Sequence, residues 1–254
     1  MLTVTRRVPL SHSQTTTTEH HPALAHQFDS LEQQKDASML GMWAFLLTEI
    51  MMFGGLFAAY LIYRLRYYEA FVAGSTSIAV TLGAVNTLVL IGSSLTMALA
   101  VSAAQRGAQK VLRGFIVATM LLGLVFLGIK AVEYHEKYVE HHIPGGVFGK
   151  FGPTDIEKDL QEKDHKTPEA AAQIARQTEI FFCFYFAMTG LHAFHMLIGF
   201  GLMTWLLWLS RGNRFGPDYY TPVELGGLYW HFVDIVWIFL FPLLYLISRT
   251  QGAH

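Results

Sequence analysis

Ionisable side chains lying inside long apolar runs are where this sequence could do chemistry. A charge in the hydrocarbon of a bilayer is expensive, so each such residue either has a task or is satisfied by a neighbouring helix. Glu49 lies about ten residues into the first apolar run. It could carry a proton, anchor a partner subunit, or sit as a carboxyl bonded to a neighbour such as Asn86; apolar surroundings favour the neutral form. His192 and His195 lie three apart and share one helix face. That spacing could ligate a metal or place both imidazoles in interhelical hydrogen bonds. The usual metal site of a helix bundle adds carboxylates in a Glu-x-x-His arrangement from facing helices, and no apolar run carries that motif. His231 and Asp234, again three apart, sit between Trp230 and Trp237. They could relay protons or satisfy each other, with a packing or lipid role. Lys130, Glu133, His135 and Glu136 close the third run. Lys130 and Glu133 are spaced to pair, and with His141 and His142 the group predicts a boundary of snorkelling side chains and no metal site.

The elements that position these residues are membrane helices. Of 254 residues 52% are hydrophobic and 15% charged, against about 25% charged in ordinary soluble domains. Mean hydropathy is +0.35. A net charge of -1 gives no ground for nucleic-acid binding, and the lone Cys183 excludes a disulfide framework or a multi-cysteine zinc site. A spanning helix takes about 20 mostly apolar residues. Residues 39–63, 78–103, 115–134, 179–209 and 223–248 qualify, which predicts an all-α membrane protein with a bundle of five transmembrane helices. Thr221-Pro222-Val223-Glu224 predicts a capping box with proline in the first turn. Thr167-Pro168-Glu169 predicts a start that runs straight into the fourth span, and Pro242 a bend in the fifth. Gly54 with Ala58, Gly55 with Ala59 and Ala79 with Gly83 are spaced for close helix contact.

Residues 1–38 form a polar tail with His12, His20, His21 and His26 and no apolar stretch of signal-peptide length. The first span is therefore expected to act as its own insertion signal, ahead of a transmembrane domain over residues 39–249. Three connections are short, whereas 135–178 is a long polar loop. One side of the membrane would hold Lys35, Arg106, Lys110, Arg113, Arg211 and Arg214. The positive-inside rule then puts the amino terminus in the cytoplasm and the carboxyl terminus outside. No nucleophile elbow, P-loop, dinucleotide fingerprint or haem-attachment motif occurs, so the chain is expected to hold no redox centre.

Tyr229-Trp230-His231-Phe232-Val233-Asp234-Ile235-Val236-Trp237-Ile238-Phe239-Leu240 resembles the signature of the cytochrome c oxidase subunit III family. Three further stretches fit in order. Gly41 to Gly55, with Thr48-Glu49-Ile50, resembles the family's glutamate-bearing helix. Glu133-Tyr134-His135-Glu136 resembles its acidic–aromatic helix end, and Thr189 to Gly199 its glycine–histidine helix. The resemblance covers residues 39–249. It implies a non-catalytic third subunit of a proton-translocating haem-copper terminal oxidase in the bacterial inner membrane. Such a subunit would bind phospholipid and contact chiefly subunit I, with subunit II and other respiratory-complex subunits also partners. It would stabilise the catalytic subunit and support proton uptake, while haem and copper stay in the partner subunits. Carried over by position, Glu49 matches the buried carboxylate, Arg211 a lipid-headgroup position, and His231 and Asp234 the signature pair. Longer members have seven helices; this chain has the five that follow the first two, and its 143–178 loop is longer than the family pattern. Subunit III of a quinol oxidase, an accessory protein of a nitric oxide reductase, and a proton-coupled transporter built on Glu49, His192, His195 and Asp234 stand as alternatives. Neither an internal repeat nor a clearly broken helix favours the transporter.

Overall fold

The computed structural model describes residues 24–145, 151–162 and 164–247. His12, His20 and His21 of the tail lie outside the described residues, as does the end of the fifth predicted span. Among the described residues five helices are long and apolar enough to cross a membrane: α1 Leu31–Arg66, α3 Val80–Gln105, α4 Gln109–Val139, α6 Pro168–Ser210 and α7 Thr221–Tyr245. Two short helices, α2 Tyr68–Thr76 and α5 Thr154–Glu162, lie in the connections. No named strand occurs among the described residues. Backbone groups in hydrocarbon must bond internally, and helices do this within one segment.

Local chemistry sets most of the ends. α1 starts eight residues before the apolar run because Ser30 Oγ accepts the Gln33 N–H at 3.1 Å and Gln33 Oε1 accepts the Asp29 N–H at 2.9 Å. α6 opens as expected, with Thr167 Oγ1 accepting the Ala170 N–H and Pro168 in first position, and runs unbroken for 43 residues. α7 departs from its predicted capping box. Thr221 is already helical and caps nothing. Glu224 instead pairs with Lys35 of α1 at 3.4 Å, and the same ammonium donates to Tyr220 Oη at 3.0 Å. A link between α1 and α7 has taken the carboxylate that a local cap would have used. Pro242 lies only three residues from the end of α7, and the Leu243 carbonyl in that last turn accepts the Tyr60 hydroxyl of α1.

α7 is the hub, packed against α3, α6 and α1. It buries Trp230, Trp237, Leu240, Leu244 and Tyr245 completely. Glycines permit the closest approaches: a Cβ at Gly226 would stand 2.7 Å from Leu206 Cδ1, and one at Gly83 2.8 Å from the Phe241 ring. Gly54 and Gly55 have open space instead, so the close contact that their spacing predicts is not made among the described residues. α1 touches the bundle along one thin stripe, with Leu46, Phe53 and Tyr60 buried at seven-residue intervals. Leu40, Met51 and Leu65 on the same helix are 73%, 72% and 82% exposed. Apolar surface on this scale needs lipid or a partner to cover it.

Candidate functional site

Glu49 stands at the midpoint of α1 and reaches His195 of α6, with Oε2 3.0 Å from Nε2. The predicted Asn86 contact is not made: both Asn86 amide atoms are buried without a hydrogen-bond partner among the described residues. The other imidazole nitrogen, Nδ1, lies 2.9 Å from the Leu191 carbonyl. A carbonyl can only accept, so Nδ1 carries hydrogen. Nε2 and Glu49 Oε2 then share one further proton, held either as a carboxylic acid beside a neutral imidazole or as a carboxylate beside an imidazolium. Either arrangement has no net charge, which is how a glutamate can sit halfway along an apolar helix. Tyr229 of α7 donates to the His195 carbonyl at 3.0 Å, and Phe53 packs on the imidazole, so three helices fix the pair.

His231 and Asp234 are not bonded to each other. His231 Nδ1 turns to Ser94 Oγ of α3 at 2.7 Å. Asp234 is 3% exposed and lies beside Ser93 and Ser94, yet neither carboxyl oxygen has a partner of hydrogen-bonding geometry among the described residues. Ser93 Oγ is used by Trp230, whose Nε1 donates to it at 3.1 Å. A buried carboxyl without such a bond is costly. Leu90, Ser94, His231, Asp234 and Ile238 line a cavity of about 380 Å³ there, between α3 and α7. Trp230 is the keystone beside it, clamped where Gly123 and Gly199 leave no room for a side chain.

His192 shares the helix face of His195 but not its bonding. It is buried between Phe126 and Trp237, ring centroids 5.5 and 5.3 Å away, and neither nitrogen has a hydrogen-bond partner among the described residues. The two histidines are engaged differently: one bonds Glu49 and the other is walled in by aromatic rings. Arg211 is exposed at the end of α6, and its guanidinium makes no hydrogen bond or ion pair with another described residue.

Lys130 and Glu133 do pair, at 3.1 Å, but the expected snorkelling boundary is corrected. They are 5% and 0% exposed and lie inside the bundle, because α4 continues to Val139. Tyr185 of α6 and Tyr245 of α7 close the network. Each hydroxyl donates to Glu133 Oε1 at 2.6 Å, and Lys130 Nζ lies 3.0 and 2.7 Å from the two hydroxyl oxygens. His135 and Glu136, by contrast, are exposed. Sequence reasoning missed Tyr185, Tyr245, Tyr229, Ser93 and Ser94. Each is a hydroxyl in an apolar run, which signals a need for a partner without naming it.

Residues 25–152 and 165–249 match the family described as cytochrome c oxidase subunit III. A cytochrome c oxidase subunit 3 of Thermostichus vulcanus is 30% identical over 87% of this chain and 92% of its own length. A quinol oxidase subunit 3 of Bacillus subtilis is 28% identical over 83% of this chain and 87% of its own. A heme-copper oxidase subunit I+III of Aeropyrum pernix is 26% identical over 84% of this chain, which spans 23% of that longer protein.

Proposed function

The chain belongs to the cytochrome c oxidase subunit III family, and from that premise we propose that it supports the oxidase core without carrying the chemistry. It is a subunit III of a haem-copper oxidase, an oxidoreductase complex, and a multi-pass membrane protein. In this reading the haems and copper reside in partner subunits, the assembled enzyme translocates protons, and this chain steadies subunit I and helps its proton supply. The observation that carries the reading is how the polar groups inside the helices are used. Glu49 and His195 neutralise each other, as do Lys130 and Glu133, and His192 is enclosed by rings. Such groups hold a scaffold together.

Subunit I is the main partner in this reading, with subunit II and other respiratory subunits beyond it. The relative whose name joins subunits I and III in one chain supports that contact. The exposed side of α1 suits it, since Gly54 and Gly55 allow a second helix to approach closely. Phospholipid would cover the remaining apolar faces, with Arg211 free to bind a headgroup phosphate. The polar tail precedes the five-helix body, and its residues 31–38 are the first turns of α1. The membrane is the bacterial inner membrane, with the amino terminus cytoplasmic. Contacts from Lys35 to Glu224 and from Gln109 to the Phe215 carbonyl support a common rim for Lys35, Arg106, Lys110, Arg113, Arg211 and Arg214. The electron donor is cytochrome c or quinol, since relatives of both names match.

Removal of the subunit from the purified oxidase tests the supportive role. Haem spectra should stay intact. Turnover should fall most at alkaline pH, where protons are scarce, and inactivation during turnover should accelerate. An oxidase stripped of this chain that keeps its full rate and lifetime from about pH 6 to pH 9 would refute the role; the span brackets the ordinary titration range of histidine.

A further inference from the structure

Residues 153–164 fall between the two stretches that match the family, and they hold α5. Ile156 and Leu160 bury one side of this helix, and its start brings Asp155 to the end of α4. There His141 takes a left-handed backbone, φ 57°, and the His142 N–H returns to the Lys137 carbonyl at 3.0 Å. Glu140 and His142 therefore face one another and Asp155. His142 is wholly buried, its ring stacked on Phe182 at 4.8 Å and 23°. Nε2 lies 2.9 Å from Asp155 Oδ1 and Nδ1 3.3 Å from Glu140 Oε2. One ligand-type atom from each of the three residues lies within 4.8 Å of the others.

A neutral imidazole has one N–H. Given to Asp155, it leaves Nδ1 as a bare lone pair facing a carboxylate oxygen, and Nδ1 makes no hydrogen bond among the described residues. Two electron-rich atoms held face to face repel, and a cation bonded to both, a proton or a metal ion, relieves that. A carboxylate behind the second ring nitrogen is how metal-bound histidines are usually oriented. We propose that Glu140, His142 and Asp155 form a site for a divalent first-row transition ion of the zinc type. Nδ1 and Glu140 bind directly, Asp155 fixes the ring, and water completes the coordination. An imidazole with carboxylate oxygens suits Zn²⁺ better than Ca²⁺ or Mg²⁺, which prefer all-oxygen sites. Lys137 also faces the cluster, with Nζ 2.5 Å from Glu140 Oε2 and 2.6 Å from the Ser77 carbonyl. The metal competes with this ammonium for one oxygen, and the Ser77 carbonyl keeps the ammonium bonded when the ion is bound. The ion would tie the inserted helix to the end of α4.

The test uses the full chain in mild detergent, stripped with chelator and titrated with Zn²⁺ alone. The tail histidines bind equally in every variant, so the readout is a difference. Wild type should bind one more Zn²⁺ per chain than His142→Gln or Glu140→Gln. Asp155→Asn should weaken that binding roughly 10–100-fold, the usual cost of losing an orienting partner, while Glu162→Gln on the outer side of α5 changes nothing. Because His142 is buried and its variant can misfold, Glu140→Gln is the decisive arm, read alongside its melting temperature in chelator. Co²⁺ in place of Zn²⁺ should give visible d–d bands that Glu140→Gln lacks. Equal Zn²⁺ stoichiometry in wild type and a folded Glu140→Gln overturns the site and leaves the cluster held by a proton instead.

Discussion

Replacement of Glu133 by leucine tests how the bundle is locked. The carboxylate is fully buried and receives three charge-assisted bonds, two from tyrosine hydroxyls at 2.6 Å and one from Lys130 at 3.1 Å. Bonds to a charged group are worth about 1.5–3 kcal/mol each. Their sum overstates the loss, because Lys130 still reaches both hydroxyl oxygens. Most of the cost comes from the ammonium left without its counter-charge, and breaking one side of a buried pair costs about 3–5 kcal/mol. Glu133→Leu should lose that much. Adding Lys130→Met removes the stranded charge and should recover at least half of the loss, since replacing a whole buried pair by apolar groups is often close to neutral. The two hydroxyls can then bond to each other. Unfolding by denaturing detergent in mixed micelles, followed by tryptophan fluorescence, gives both numbers. A single variant within about 1 kcal/mol of wild type, or a double variant no better than the single, would rule this lock out, because coupled neighbours should show an interaction energy of about 0.5–3 kcal/mol.

Three further outcomes follow from the same geometry. Glu49→Gln should assemble with its oxidase nearly normally, since the amide can donate to His195 Nε2, whereas Glu49→Lys should abolish assembly; pull-down of the complex reads both. Gly199→Ala should destabilise the chain by about 1–3 kcal/mol, the usual cost of overpacking, because the new Cβ would meet the Trp230 ring at 2.9 Å; a melt that matches wild type would show that Trp230 is free to move. Arg211→Ala should lower the phospholipid retained in native mass spectrometry, and unchanged retention would count against a headgroup contact.

Features set by neighbouring residues were legible in the sequence. The Thr167–Pro168 start of α6 is local chemistry, and the Lys130–Glu133 pair follows from one turn of helix. Features set across the fold were not. The apolar window of α4 ends at Tyr134, so Lys130 looked like a boundary residue; its burial comes from Tyr185 and Tyr245, distant in sequence. Glu49 showed that it needed a partner, but the choice of His195 over Asn86 depends on how α1 leans on α6. The predicted cap of α7 lost its glutamate to Lys35 in the same way. α5 did leave a signal, Ile156 and Leu160 four apart in a charged loop, the short apolar edge of an amphipathic helix. Its consequence, Asp155 beside His142, became visible only once α5 was docked against the bundle.

Support of an oxidase core is tested by affinity purification of this chain from its native membrane in mild detergent, with haem absorbance and oxygen consumption read on the same particle. Haem spectra and cytochrome c- or quinol-driven oxygen uptake should appear in stoichiometric proportion to the chain, and neither should remain once subunit I is dissociated from it. A homogeneous chain that purifies free of haem and of any oxidase core would contradict that role.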